Sequence, residues 1–247
     1  MLSYQVHGEG NNIIILLHGL AQTHRAFDEQ LELADTYKLV TLDLTAHGDS
    51  PSDDYITLER MAIDVLELMD HLNIEQVTIC GVSLGGLVAQ ELYNLAPSRV
   101  KALILSNTYS YVPQVFLEME IESRKDKLDS ATDDEYITGI AKKCSLSQSK
   151  DIINIIKNTI KLNRDTYIQC TSAPLGKDYS EVARRIDKPC LLVSGWYDIV
   201  TPVILQFQQS MMIRGSKYRQ FMSGHLPNIE CAKEFNRVVR DFMREVN

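Results

Sequence analysis

The sequence contains no apolar run of membrane-spanning length, no Cys-x-x-Cys pair and no basic leader followed by an apolar stretch. A membrane helix needs about 20 consecutive apolar residues, so neither a membrane partner nor a signal peptide is expected. Positive charge is in deficit, with 25 Lys and Arg against 33 Asp and Glu and a net charge of −8. That balance argues against a nucleic-acid partner. The five cysteines are odd in number and unpaired by spacing, which points to reduced thiols and a cytoplasmic protein. Cys80 and Cys190 sit inside apolar runs and read as small core residues. No cluster of His, Cys and Asp has ligand spacing, so no metal and no organic cofactor are expected. Internal repeats and low-complexity tracts are also missing. What remains is ordinary globular material: 247 residues, 45% hydrophobic and 23% charged, enough for one sizeable domain with room for an insertion.

The apolar pattern alternates between strand and helix. Ile13–Leu17 is a continuous β-branched and leucine run ending at His18-Gly19, and Leu39–Leu42 is a second strand ending at Asp43. After Thr57, a suitable N-cap, apolar residues at 58, 61, 62, 65, 66, 69 and 72 mark one face of a helix. Val77–Cys80 reads as a strand, Leu84–Ala96 as a helix stopped before Pro97, and Val100–Leu105 as another strand. This repetition predicts an α/β fold, a mostly parallel sheet with helices on both faces. From Tyr111 to Asp178 the rhythm changes to long polar helical stretches, Gln114–Leu128 and Ser149–Arg164 among them. Strands resume at Cys190–Ser194 and Tyr218–Met222, and a closing helix starts near Lys233. Residues 1–110 and 179–247 are therefore expected to form the core, with 111–178 a helical cap over the C-terminal ends of the strands.

Open α/β sheets place their sites at those strand ends. In "VTICGVSLGGLVAQ", Ser83 lies in a G-x-S-x-G motif between a strand and a helix, the setting of a nucleophile on a tight turn. A serine hydroxyl is a weak nucleophile and needs a base, which in turn needs an orienting acid. Of the histidines at 7, 18, 24, 47, 71 and 225, only His225 follows the last strand, in "FMSGHLPNIE". His18 and His47 precede glycines at strand ends and read as loop-packing residues, while His7 and His71 read as structural or solvated. Asp198, in "LLVSGWYDIVTP", completes the chain order Ser, Asp, His. Asp43 also ends a strand but precedes Ser83, and it reads as a loop brace.

These stretches, HGL at 18–20, DLTAHGDS at 43–50, GVSLGG at 81–86, GWYDIVTP at 195–202 and GHLPNIE at 224–230, resemble the α/β-hydrolase superfamily over nearly the whole chain. Small carboxylesterases and 3-oxoadipate enol-lactonase-like hydrolases are the look-alikes. Thr45 and Ala46 stand where relatives often carry arginine and glycine. The resemblance implies a serine hydrolase acting on a small-molecule ester or lactone, with a Ser83–His225–Asp198 triad. It also implies an oxyanion hole from the backbone N–H groups of Leu84 and Leu20, with Ala21 as the alternative to Leu20. Serine rather than aspartate at 83 disfavours dehalogenase and epoxide-hydrolase chemistry, and Val82 before it disfavours carbon–carbon bond hydrolases. No arginine follows Gly85-Gly86, which counts against the related lyases. Acyl transfer or perhydrolysis would use the same triad, and a ligand-binding module with a vestigial site is the non-enzymatic alternative. Tyr109, Val200 and Leu226 are expected to line the substrate pocket. Arg124, Lys142 and Arg164 are available cations in the cap but are expected to be solvated, so a neutral or weakly charged ester is favoured over a dicarboxylate lactone.

Overall fold

A computed structural model describes residues 1–52 and 55–246. Its strands are β1 (Tyr4–His7), β2 (Ile13–Leu17), β3 (Lys38–Leu42), β4 (Val77–Val82), β5 (Val100–Ser106), β6 (Cys190–Gly195) and β7 (Lys217–Phe221). They form one sheet in the order β1-β3-β2-β4-β5-β6-β7. All pairings are parallel except β1 with β3, an antiparallel edge. β1 was not legible as a strand: it is four residues long and none of them is buried.

The inner strands are buried on both faces, and their side chains alternate between two cores. Ile15 and Leu17 pack with Val65 of helix α1 (Leu58–His71) and Val88 of α2 (Leu84–Leu95). Ile14 and Leu16 pack on the opposite side with Phe27 from the helical turns 24–35 and Phe235 of α10, the closing helix Ala232–Val246. α1 forms because its buried residues, Leu58, Met61, Ala62, Val65, Leu68 and Met69, recur at helical spacing. Its first turn is capped by the Thr57 side chain, which accepts from the Arg60 N–H at 3.0 Å.

Between β5 and β6 lie α3 (Gln114–Ser130), α4 (Asp133–Cys144), α5 (Lys150–Thr159), α6 (Arg164–Ser172) and α7 (Ser180–Arg185). The stretch Ser149–Arg164, expected as one helix, is two elements. At residues 159–161 the backbone turns to the loop after β2, where Thr159 C=O accepts from Thr23 N–H at 2.8 Å and Lys161 N–H donates to Ala21 C=O at 3.0 Å. Ile160 forms an isolated antiparallel bridge with Gln22. The helix stops there because its backbone groups are taken by another segment. Past β6, α8 (Val203–Met212) leads to β7, and the short α9 (Pro227–Glu230) precedes α10. Among the described residues no helix is long and apolar enough to cross a membrane.

Candidate active site

The corner between β4 and α2 is built from glycines because the chain passes too close to itself for side chains. A Cβ on Gly81 would lie 2.3 Å from the Gly85 carbonyl oxygen, and one on Gly85 would lie 2.1 Å from that of Leu17. Ser83 sits at the apex with φ 55° and ψ −117°, a left-handed conformation costly for a residue with a side chain. The corner is held by Ser83 N–H donating to Ser106 C=O at 2.9 Å and by Gly86 N–H donating to Ser83 C=O at 2.9 Å. A Cβ on Gly19 would be 3.4 Å from the Ser83 Cβ, so the loop after β2 runs directly beside the serine. That loop turns at Ala21 (φ 63°) and is closed by Gln22, whose side-chain oxygen accepts from Gly19 N–H at 3.1 Å. Among the described residues, neither Leu20 N–H nor Leu84 N–H finds an acceptor within the protein.

His225 and Asp198 are joined at 2.8 Å, Nδ1 to Oδ2, with both side chains nearly excluded from solvent. The carboxylate is fully engaged. Oδ1 accepts from the backbone N–H groups of Val200 (2.8 Å) and Thr201 (2.9 Å), and Oδ2 also accepts from Asn107 Nδ2 at 2.7 Å. Burial pushes the Asp198 carboxyl up, but His225, Asn107 and the Thr201 N–H outweigh it and hold it below the usual carboxylate range. An ionised Asp198 accepts from Nδ1–H, which turns the other ring nitrogen, Nε2, away from the carboxylate.

The rival acid and bases lie elsewhere. Asp43 accepts from His24 N–H (2.7 Å), His24 Nδ1 (2.8 Å) and Asp49 N–H (2.8 Å), bracing the loop after β3. His18 donates from Nδ1 to the Gly19 carbonyl at 2.8 Å and accepts at Nε2 from Leu44 N–H at 2.9 Å. Burial, helped by His47, pushes its pKa down to about 3, so it stays neutral.

Two cavities meet at Ser83, one of about 420 Å³ and one of about 120 Å³. Leu20, Ser83, Val200, Glu120 and Arg124 line both. His225 and Leu226 face the larger cavity, and Tyr109 and Leu84 the smaller. Asp198 lines neither and sits behind His225.

The expectation that Arg124 is solvated is corrected by this geometry. The side chain is only 20% exposed and faces both cavities. Its position on α3 turns it inward, where Nε donates to Glu120 Oε1 at 2.8 Å and Nη1 to the Tyr167 hydroxyl at 2.7 Å. Arg164 instead ties the end of α3 to α4, donating to the Leu128 carbonyl (2.7 Å), the Ala131 carbonyl (2.6 Å) and Asp133 (2.6 Å). Lys142 is exposed.

Asn107 and Glu230 were given no part by sequence reasoning. Asn107 (φ 48°) directly follows β5 and steadies Asp198. Its only sequence signal is a polar residue at a strand's C-terminal end. Glu230 closes the GHLPNIE stretch. Its Oε1 accepts from Gly224 N–H at 2.8 Å, while Oε2 accepts from Ser145 Oγ (3.0 Å), Leu146 N–H (2.9 Å) and Ser147 N–H (2.9 Å). His225 N–H donates to the Cys144 carbonyl at 2.7 Å beside it. The loop carrying His225 is thus fastened to the loop between α4 and α5.

Comparison with known proteins places the fold. Residues 12–231 match the profile of a family described as alpha/beta hydrolase fold. The chain is 26% identical to 3-oxoadipate enol-lactonase 1 of Acinetobacter baylyi, over 99% of this chain and 94% of that protein. A solved enol-lactonase from Burkholderia xenovorans superposes with a TM-score of 0.88 at 25% identity, covering 98% of this chain and 96% of its own. A hydrolase from Pseudomonas aeruginosa gives a TM-score of 0.88 at 26% identity, covering 98% and 94%.

Proposed function

Since the chain belongs to the alpha/beta hydrolase fold family, we propose that it is a serine hydrolase of small carboxylic esters or lactones, working through an acyl-enzyme on Ser83. The observation that carries the reading is the buried 2.8 Å pair between His225 and Asp198, with His225 opening onto the cavity that also contains Ser83. In this reading residues 111–178 form a cap over the site, and Tyr109, Val200 and Leu226 are pocket walls.

Attack begins as His225 Nε2 takes the Ser83 proton and Oγ adds to the carbonyl carbon. The strained backbone at residue 83 is what presents Oγ above the sheet edge instead of within it. The unpaired N–H groups of Leu20 and Leu84 are the donors for the tetrahedral oxyanion, each worth roughly a hundredfold or more in rate. Asp198 keeps the proton on Nδ1 and stabilises the imidazolium while it lasts. His225 then protonates the departing alkoxide, which in a lactone stays tethered to the acyl group. Water deacylates the serine by the reverse relay.

The test is turnover of p-nitrophenyl butyrate together with fluorophosphonate labelling. The label is expected on the peptide containing Ser83, and Ser83→Ala is expected to lose roughly four to six orders of magnitude in kcat. A folded Ser83→Ala protein that keeps a tenth of the wild-type rate rules the assignment out.

A further inference from the structure

The charges around the cavity do not cancel. Glu120 Oε1 receives both Arg124 Nε and Lys143 Nζ, each at 2.8 Å, so two cations share one carboxylate. Burial pushes the Glu120 carboxyl up, but Lys143 and Arg124 outweigh it, and its pKa is lowered. The cluster therefore carries one positive charge in excess. Of the three Arg124 nitrogens, Nε is taken by Glu120 and Nη1 by Tyr167. Nη2 has no partner among the described residues, although the side chain is 20% exposed and lines both cavities that meet at Ser83. Lys127 and Glu135 stand on the wall of the larger cavity as well and offset each other in charge, so the excess stays at one. Arginine cannot shed its proton to relieve such a position. Buried charge is costly unless it is paired, and guanidinium suits a carboxylate better than any other side chain does.

We propose that Arg124 is the recognition point for a carboxylate on the substrate, so that the preferred substrates are monoanionic carboxy-esters or carboxy-lactones and not neutral esters. The proposal rests on the serine-hydrolase reading for the reacting end of the substrate and adds its far end. One excess positive charge matches one carboxylate. Tyr167 and Glu120 hold the guanidinium in place before the substrate arrives, so little side-chain freedom is lost on binding. Energy from this remote contact positions the carbonyl against Ser83. Ile140, Ile156, Ile160 and Leu226 give the larger cavity an apolar wall that suits the carbon chain between the two ends.

The experiment compares the mono-p-nitrophenyl ester of glutaric acid with p-nitrophenyl pentanoate, close in length and differing in charge. Wild-type kcat/KM is expected to favour the anion by roughly ten- to a hundredfold, the range of a hydrogen bond to a charged group. Arg124→Gln is expected to lower the anion-to-neutral ratio at least tenfold, and Arg124→Lys, which keeps the charge without the fork, to fall between. A wild-type protein that does not prefer the anion overturns the proposal. So does an Arg124→Gln protein whose two rates fall by the same factor, since that marks a purely structural arginine. Should Arg124→Gln fail to fold, the wild-type preference and Arg124→Lys decide. Monomethyl glutarate, which carries a single carboxylate, separates this inference from the reading it rests on. It is expected to raise the Tm of the Ser83→Ala protein and to do so less with Arg124 also replaced. If neither ester shows Ser83-dependent turnover, the hydrolase reading falls, and the monomethyl glutarate shift alone retains or rejects the subsite.

Discussion

The parallel sheet and the helices α3 to α6 above it are held together by different kinds of contact. In the sheet, Ile14, Ile15, Leu17, Ile79, Ile104 and Leu192 are fully buried, and their neighbours on both faces are equally apolar. In α3 to α6 the shared cluster is small, centred on Leu128, Tyr136 and Tyr167 with Ala21 from the loop below. Much of the rest is polar: Lys157 with Asp134, Arg164 with Asp133, and the Glu120–Arg124–Lys143 group. Exposed ion pairs contribute little to stability. The first region fixes where Ser83, Asp198 and His225 stand, and the second shapes the space in front of them. Changes to the first should therefore remove the reaction, and changes to the second should redirect it.

The sharpest break in that contrast is expected at Asp198. Asp198→Asn keeps the size of the side chain but favours the wrong histidine tautomer, and kcat is expected to fall by about 10⁴. Steady-state kinetics on a neutral nitrophenyl ester, with circular dichroism to confirm folding, checks this. A loss of less than tenfold would return the acid to the list of open roles.

A second variant tests whether the two regions are as separable as that contrast implies. Glu230 belongs to both, since Oε1 holds the His225 loop at Gly224 and Oε2 holds Ser145, Leu146 and Ser147. In Glu230→Gln one of those positions becomes an NH₂ group facing donors. Hydrogen bonds to a charged group are worth roughly 1.5–3 kcal/mol, so Tm is expected to drop by about 3–12 °C. A tenfold fall in kcat with little change in KM is expected because His225 loses its position and the pocket does not. Loss of stability alone, with kcat unchanged, would reduce Glu230 to a structural tie.

The smallest effect is expected inside α3. Leu117 lines the smaller cavity, whereas Ile121 is buried within the helical segment. One methylene in an apolar pocket is worth about 1–3 kcal/mol of discrimination. Leu117→Phe is accordingly expected to shift the preferred acyl length by about tenfold while Ile121→Phe costs stability. A panel of nitrophenyl esters from acetate to octanoate, read against Tm, distinguishes the two.

Sequence patterns carried the sheet well because buried parallel strands are continuous apolar runs with little else to resemble. They failed at α8 for the opposite reason. That helix buries Gln206 and Gln209 and exposes Ile204, Phe207 and Met211, an inverted amphipathic pattern. Gln206 is drawn in by backbone groups at the end of β5, accepting from Thr108 N–H at 2.8 Å and donating to Leu105 C=O at 3.1 Å, and Gln209 by side chains, donating to Gln90 Oε1 and Ser110 Oγ, each at 2.9 Å. Tertiary demand overrode periodicity there. At the candidate site, the placement of Ser83, Asp198 and His225 just past strand ends could be read from short motifs. Asn107 and Glu230 could not, because what marks them is a partner 91 and 85 residues away in the chain, respectively. Arg124 was misread because a charged residue on a polar helix gives no sign of which way it faces.

Residues 159–161 paired with the loop at 21–23, and residues 145–147 gathered onto Glu230, act as two sockets by which the helical segment plugs into the sheet. Both rest mainly on main-chain groups on the helical side, with the hydroxyls of Ser145 and Thr159 added, so the identity of most other side chains there matters little. A recombined chain could exchange the helices on either side of these sockets, and with them the shape of the chamber, while the machinery beneath keeps its footing. The sockets thus divide the sequence into stretches free to drift and a short vocabulary that must be preserved.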